Sequence, residues 1–204
     1  ETKISDILKG LNQSLLRNIN FNFLIFGCES EISKYMKKYP RLNQATKIIN
    51  CSESITMSDK PSEIIKTKKK SSMHLAVNSV KEGLADSILS FGNTGALMSI
   101  ALLNLKTMRE IKRPSIASIW PNMKGESIVL DLGANTKLSS KYLVDNAILG
   151  TALAKILFKI DNPNIGILNV GSEDIKGNDE LKSASDQLKI LSNDSIINYY
   201  GYVE

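Results

Sequence analysis

The sequence predicts an α/β fold in which a mostly parallel sheet is covered by helices on both faces. Segments of strand length alternate with segments of helical periodicity along almost all 204 residues. This alternation is typical of parallel sheets, because a helix carries the chain back between neighbouring strands. Three predicted strands also end in glycine with polar side chains beside it, at 92–95, 131–135 and 171–178. Ligands bind at the carboxyl ends of the strands in such sheets.

The composition is that of a globular protein, with 42% hydrophobic and 23% charged residues, and we expect a single α/β domain over 1–204. The net charge of +5 favours an anionic partner, but no basic tract with stacking aromatic residues indicates nucleic acid. Cys28 and Cys51 are widely spaced and the chain has one histidine, so neither a metal site nor a disulfide framework is predicted. No signal peptide is visible, and we expect a reducing, cytoplasmic environment.

The first half of the chain begins with helical spacing of apolar residues over 4–19. A strand at 21–26 and a helix that ends before Pro40 follow. Pro61 suits the first turn of another helix, and Ser72 suits the cap of a helix over 73–82. Further strands are predicted at 47–51 and 85–91, and an almost wholly apolar helix at 96–105.

The second half repeats the alternation. Strands are predicted at 116–120, 127–132, 165–170 and 195–200, with a turn at 121–125. Helices are predicted from Ser139 to Phe158 and from about Asn178 onward, the latter with Asp179 and Glu180 in its first turn, where the helix dipole favours acidic residues.

The turn 92–95 has the chemistry of an anion site. Gly92 and Gly95 allow close approach of a ligand, and the helix that follows leaves its first N–H groups free. The lysine-rich stretch 66–70 is either a solvated surface or a cationic wall for a phosphorylated ligand. His74 falls on the polar face of its helix with no evident partner, so a structural role is favoured over a catalytic one.

The sequence disfavours two classes of nucleotide-binding protein, the dehydrogenases and the NTPases. No G-x-G-x-x-G follows a predicted strand, and no Gly-Lys-Ser/Thr loop is present.

Several motifs occur together in a family-specific order: Lys69-Lys70-Ser71-Ser72-Met73, Gly92-Asn93-Thr94-Gly95-Ala96-Leu97-Met98, Arg113-Pro114, Leu130-Asp131-Leu132-Gly133-Ala134-Asn135 and Lys176-Gly177-Asn178. From about Lys47 onward the chain resembles the phosphate acyltransferases of bacterial phospholipid synthesis, known as PlsX. The resemblance implies transfer of a fatty acyl group from acyl carrier protein thioester to inorganic phosphate, which gives acyl phosphate. It also implies a fold like that of phosphotransacetylases and isocitrate/isopropylmalate dehydrogenases.

The resemblance further implies a homodimer, peripheral attachment to the membrane, and a membrane glycerol-3-phosphate acyltransferase that uses the product. Family members open with a strand ending in Asp-x-Met-Gly-Gly-Asp, which is not found here, and they extend further than Glu204. We therefore expect the chain to be a fragment that lacks both ends of the family chain and is inactive by itself.

The site residues follow from the same motifs. The expected phosphate-binding and substrate-binding set is Lys70, Ser71, Ser72, Gly92, Asn93, Thr94, Gly95, Arg113, Gly133, Gly171 and Glu173. The expected catalytic set is Lys176, Asn135, Asn178 and Asp131. No metal or cofactor is required, because a phosphate oxygen attacks the thioester directly.

In this hypothesis the amides and hydroxyl of 93–95 hold phosphate, and Lys70 or Lys176 neutralises it. Asn135 or Asn178 donates to the developing oxyanion, while Asp131 orients a neighbour rather than acting as a base. Turn or cap roles for Asn135 and Asn178 remain open alternatives.

Two other functions fit the residues less closely. One is a phosphotransacetylase-like enzyme that uses a coenzyme A thioester. The other is a non-catalytic module that binds acyl carrier protein or anionic lipid, for which the basic charge would suffice.

Overall fold

The computed structural model of the chain describes residues 2–17, 20–123, 125–135 and 137–204. It divides into two compact units, 1–107 and 108–204. Each unit contains helices and a small parallel sheet, so the α/β class is confirmed. That both units form a single domain stays a prediction.

The first unit contains six helices and two strands among its described residues. They are α1 (Ile4–Arg17), β1 (Phe23–Gly27), α2 (Glu29–Met36), α3 (Pro40–Gln44), β2 (Thr46–Asn50), α4 (Pro61–Thr67), α5 (Ser72–Lys81) and α6 (Thr94–Leu105). β1 and β2 pair in parallel, with Ile25 opposite Ile48. α1, α2 and α3 bury one apolar cluster around Leu8, and α4, α5 and α6 bury another around Val77. Position 19, which the sequence assigns to the first helix, lies outside the described residues.

The second unit is built of β3 (Ala117–Asn122), β4 (Gly125–Leu130), α7 (Ser140–Phe158), β5 (Asn164–Leu168), α8 (Asp179–Asn193) and β6 (Asn198–Val203). β5 and β6 pair in parallel, whereas β3 and β4 form an antiparallel hairpin. α7 and α8 pack on the parallel pair around Leu188, which is fully buried. The starts of α7 and α8 follow the ends of β4 and β5, and these are the positions of two predicted site turns.

The predicted continuous sheet is not seen, because the described strands form three separate two-stranded sheets. The antiparallel hairpin has a simple cause. Only two residues separate Asn122 from Gly125, and so short a connection reverses the chain, whereas parallel strands need a crossover of a dozen residues or more.

The strand predicted at 85–91 is wrong. This segment forms no strand, and Leu89 and Phe91 are 68% and 48% exposed. Alternation of apolar and polar residues makes a strand only where a neighbouring strand supplies hydrogen bonds, and the segment has none in this structure. The glycine turn at 92–95 therefore follows irregular chain, although the helix after it forms as predicted.

Among the described residues no helix is both long enough and apolar enough to cross a membrane.

Candidate functional site

The turn 92–95 is held by the side chain of Asn93. Its Oδ1 accepts from the backbone N–H of Ala96 at 3.0 Å and so caps α6. Its Nδ2 lies 3.3–3.4 Å from the carbonyl oxygens of residues 56, 57 and 59. The Asn93 side chain is therefore committed to the fold, while Thr94 and Gly95 are exposed at the start of the helix. What remains for an anion is the Thr94 hydroxyl and the free N–H groups of the first turn.

Ser71, rather than the predicted Ser72, caps α5. Its buried Oγ accepts from the backbone N–H of His74 and donates to the carbonyl of Lys68. Ser72 is the first residue of α5, and its N–H donates to the Glu53 carbonyl at 3.2 Å, beside an isolated β-bridge between Glu53 and Ser71. Lys70 donates its backbone N–H to the Glu53 carboxylate, and its side chain is exposed.

Two predicted parts of the site meet in the first unit. Met73, at the start of α5, lies so close to Gly92 that a Cβ on the glycine would come within 3.2 Å of the methionine methyl. Met73 and Ala96 also share one apolar cluster. The starts of α5 and α6 therefore lie close together. The N–H groups of Ser72 and His74 at the start of α5 are already bonded, so the N–H groups of Thr94 and Gly95 at the start of α6 are the ones that favour a bound anion.

Lys68 is already paired in this region. Its Nζ lies 2.6 Å from Asp59 Oδ2, and the lysine lowers the pKa of that carboxyl, with further help from the Thr56 N–H. Of the lysine stretch, Lys66, Lys69 and Lys70 present exposed side chains without an ion pair among the described residues.

In the second unit, Asp131 organises the turn 131–135. Its Oδ1 accepts from the N–H groups of Ile116 (2.8 Å) and Ala134 (3.2 Å), and its Oδ2 accepts from the Asn135 N–H (2.9 Å) and the Tyr142 hydroxyl (2.8 Å). Burial alone would raise the pKa of Asp131, but these hydrogen bonds outweigh it and lower the pKa. A carboxylate held in its charged form by donors orients its neighbours and is a poor base, and the orienting role of Asp131 in catalysis stays a prediction.

Asn135 is equally well bonded. Its Nδ2 lies near the Pro114 carbonyl (3.1 Å), Asp131 Oδ2 (3.2 Å) and the Tyr142 hydroxyl (2.5 Å). Its Oδ1 accepts from Nη1 of Arg113 at 3.3 Å. The structure thus brings three predicted site residues together: Arg113, Asp131 and Asn135. Arg113 is exposed and is held by one nitrogen, and its other N–H groups have no partner among the described residues, so they are available to an anion.

Three residues at this turn were missed by sequence reasoning. Tyr142 and Asn146 lie on the buried face of α7, and Ser115 precedes β3; the Ser115 Oγ lies 2.9 Å from the Tyr142 hydroxyl and 2.5 Å from Asn146 Oδ1. A signal was present, because polar residues four apart on the inward face of an apolar helix indicate a buried hydrogen-bond network.

The third predicted turn, 171–178, is mostly exposed, with close neighbours at Gly171 and Gly177. Asn178 caps α8 by accepting from the Leu181 N–H at 3.0 Å. Gly177 has φ +86°, and a Cβ there would lie 2.9 Å from Asn169 Oδ1. A Cβ on Gly171 would meet the Glu173 carboxylate at 2.5 Å and Cγ of Lys176 at 3.1 Å. The Glu173 carboxylate is an acceptor only, which disfavours direct contact between it and phosphate.

Lys176 is exposed at this turn, and the ion pairs found among the described residues do not include it. Its backbone N–H closes the turn onto the Glu173 carbonyl at 3.0 Å. The backbone of Lys176 is thus fixed by the turn, and its ammonium group is available for a ligand.

The two turns of the second unit are neighbours. The Ser140 N–H in the first turn of α7 donates to the carboxylate of Glu180 in the first turn of α8. The helix starts that follow 131–135 and 171–178 are therefore adjacent. Each unit carries part of the predicted site, and the meeting of all three turns at one phosphate stays a prediction.

No cluster of three or more metal-ligating side chains occurs within the part of the chain that the structure describes. Cys28 is exposed, and its pKa is lowered mainly by a hydrogen bond with Ser30, whereas burial raises the pKa of Cys51.

Comparison with known proteins gives consistent results. Residues 1–204 match the model of a family described as fatty acid synthesis protein. The chain is 43% identical over 201 residues to a phosphate acyltransferase of Azorhizobium caulinodans, which covers 97% of this chain and 56% of that protein. It is 42% identical over 200 residues to the phosphate acyltransferase of Xanthobacter autotrophicus, and the match covers 97% of this chain and 55% of that protein. It is 44% identical over 189 residues to the phosphate acyltransferase of a Chelativorans species, and the match covers 92% of this chain and 54% of that protein. The chain spans about half the length of the curated relatives it matches.

Proposed function

The chain belongs to the fatty acid synthesis protein family, and from this we propose that its protein transfers a fatty acyl group from a thioester to inorganic phosphate. Relatives named phosphate acyltransferase support the reaction class. The single structural observation that carries the proposal is the exposed start of α6, where the Asn93 cap leaves the Thr94 hydroxyl and the N–H groups of Thr94 and Gly95 for a ligand. A helix N-terminus of this kind suits an anionic ligand such as phosphate.

The reaction requires no nucleophile from the protein. An oxygen of hydrogen phosphate attacks the thioester carbonyl, the tetrahedral intermediate collapses, and the carbon–sulfur bond breaks. The thiolate leaves and takes the proton released by phosphate, so the products are acyl phosphate and a free thiol. The protein must hold the phosphate, exclude competing water and stabilise the oxyanion.

We assign phosphate binding first to groups that the fold leaves free. These are the Thr94 hydroxyl, the N–H groups of Thr94 and Gly95, and the cations Lys70, Arg113 and Lys176. Asn135 and Asn178 as oxyanion donors stay predictions. Asn135 would exchange a protein hydrogen bond of its Nδ2 for one to substrate, whereas the cap bond of Asn178 uses its Oδ1 and not its Nδ2.

The acyl donor we propose is the thioester of acyl carrier protein, and the net charge of +5 suits an acidic protein donor. The proposed partners also include a membrane glycerol-3-phosphate acyltransferase that consumes the acyl phosphate. We also propose that the protein is a cytoplasmic homodimer that attaches peripherally to the membrane.

The test is acyl phosphate formation by the full-length protein, trapped with hydroxylamine, from acyl carrier protein and coenzyme A thioesters side by side. Phosphate-dependent consumption of the carrier-protein thioester supports the proposal. Preference for coenzyme A indicates a phosphotransacetylase, and salt-sensitive binding without turnover indicates a non-catalytic module.

Lys176→Ala should lower turnover by at least about tenfold, the scale of one lost charged contact. The matched control is Lys155→Ala, in the last turn of α7, which removes an exposed lysine at the far end of that helix. Equal activity of the two variants would remove Lys176 from the mechanism.

A further inference from the structure

A buried polar network lies behind the turn 131–135 and is centred on Tyr142. This side chain is 8% exposed, and its hydroxyl both donates to Asp131 Oδ2 and accepts from Asn135 Nδ2. Ser115 lies 2.9 Å from the same hydroxyl and bonds in turn to Asn146. The tyrosine therefore connects the rigid helix α7 to both ends of the turn.

We propose that Tyr142 is a positioning residue for phosphate binding, which acts through Asn135 on the guanidinium of Arg113. This inference rests on the proposed function. Tyr142 bonds to Asn135 Nδ2, and Asn135 Oδ1 accepts from Arg113 Nη1, so one amide side chain links the hydroxyl to the cation. A planar amide whose nitrogen is fixed has its oxygen fixed as well, and that oxygen sets the direction of the guanidinium.

The Tyr142 hydroxyl is suited to holding Asn135, because it keeps its proton. Burial and the neighbouring Asp131 raise the pKa of Tyr142, so the proton stays on the oxygen at neutral pH. The backbone bonds of Asp131 to Ile116, Ala134 and Asn135 do not involve the tyrosine. Removing the hydroxyl should thus leave the turn folded but loosen the Asn135 amide, whose Nδ2 would lose its shortest contact and keep the longer ones to the Pro114 carbonyl (3.1 Å) and Asp131 Oδ2 (3.2 Å).

The experiment is steady-state kinetics of full-length Tyr142→Phe with inorganic phosphate and the thioester varied separately. We expect the KM for phosphate to rise about three- to tenfold, the range of a single lost hydrogen bond, with kcat and the thioester KM within about twofold. The matched control is Tyr199→Phe, which removes another partly buried hydroxyl of the same unit, bonded to Ser185 Oγ at 2.9 Å. It should lower the melting temperature and leave the phosphate KM unchanged.

A double-mutant cycle with Arg113→Ala separates positioning from general destabilisation. If Tyr142 acts through Arg113, adding Tyr142→Phe to Arg113→Ala changes the phosphate KM no further. Additive effects, or a Tyr142→Phe variant that resembles Tyr199→Phe, would overturn the inference and leave the proposed function standing. An Arg113→Ala variant with normal phosphate KM would overturn the inference and the assigned role of Arg113, and a wild-type protein without phosphate-dependent turnover would overturn the proposed function as well.

Discussion

Asparagine is the residue type whose role was hardest to assign from the sequence. Asn93, Asn135 and Asn178 each follow a predicted strand in a glycine-containing turn, which suits both a ligand contact and a helix cap. In the structure Asn93 and Asn178 cap helices, and Asn135 bonds to four neighbouring residues. The same donor and acceptor atoms serve either role, so only the contacts distinguish them.

Asn93→Ala should destabilise the protein by about 1–2 kcal/mol, because it removes a cap and the side-chain donor to the carbonyls of residues 57 and 59. Chemical denaturation measures the change. Thr94→Ala, one residue further and exposed, is the control and should cost less than about 0.5 kcal/mol. Equal stability of the two variants would contradict the structural role assigned to the Asn93 side chain, which caps α6 and bonds to the carbonyls of the preceding loop.

Asp131→Asn should weaken the fold above pH 4 and have less effect at lower pH. The pKa of Asp131 is lowered by its donors, so its contribution is present above the unfolded pKa of about 3.9 and is lost as pH falls through the folded pKa. Unfolding free energies at pH 7 and pH 3 measure this. A difference between wild type and variant that is the same at both pH values would contradict the assigned charge.

Neither cysteine should be needed for turnover, because phosphate attacks the thioester directly. Cys28→Ser and Cys51→Ser should each keep acyl phosphate formation within about twofold of wild type, since neither loses a charged contact. Complete inactivation by either change, in a protein that still folds, would favour a covalent acyl-enzyme route.

At the scale of elements, the helices were predicted more accurately than the strands. The helix predicted from Ser139 to Phe158 is α7 with Ser139 as its cap, since periodicity and capping are local signals. Strand pairing depends on distant residues, which is why the segment 85–91 and the continuous sheet were predicted wrongly.

The environment of α5 was also mispredicted. His74 was placed on a polar face but is 6% exposed, with a buried Nδ1 that lacks a hydrogen-bond partner. α5 contacts both β1 and α6, so more than one of its faces is covered. A single hydrophobic stripe in the sequence does not reveal a second packed face.

Below pH 7 the buried imidazole should reduce stability. Burial, helped by the charge of Lys69 and opposed by a hydrogen bond to the Lys68 backbone, lowers the pKa of His74, so the unfolded chain binds the proton more readily than the folded one. The unfolding free energy should therefore fall as pH drops from 7 to 5, and His74→Gln should remove that dependence. His74 is the sole histidine of the chain, and an unchanged pH dependence in the variant would contradict its burial as the cause.

At the scale of the whole molecule, sequence motifs located the turns of the candidate site, but they did not reveal the side-chain contacts made by those turns. Arg113, Asp131 and Asn135 do come together, as do the turns that precede α5 and α6. The network behind them was missed, because Tyr142 and Ser115 carry no motif and acquire a role only through tertiary contact. That the turns 92–95, 131–135 and 171–178 hold one phosphate stays a prediction.

The most direct measurement of that claim is a phosphate titration of full-length protein labelled with ¹⁵N-glycine. Gly92, Gly95, Gly133, Gly171 and Gly177 report on the three turns, while Gly10, Gly27, Gly150 and Gly166 lie elsewhere in the two units and serve as internal controls. We predict that the amide signals of glycines in all three turns shift along one saturation curve, with the control signals unmoved and sulfate at equal ionic strength less effective. Shifts confined to the turns of one unit, or different curves for the two units, would contradict the account.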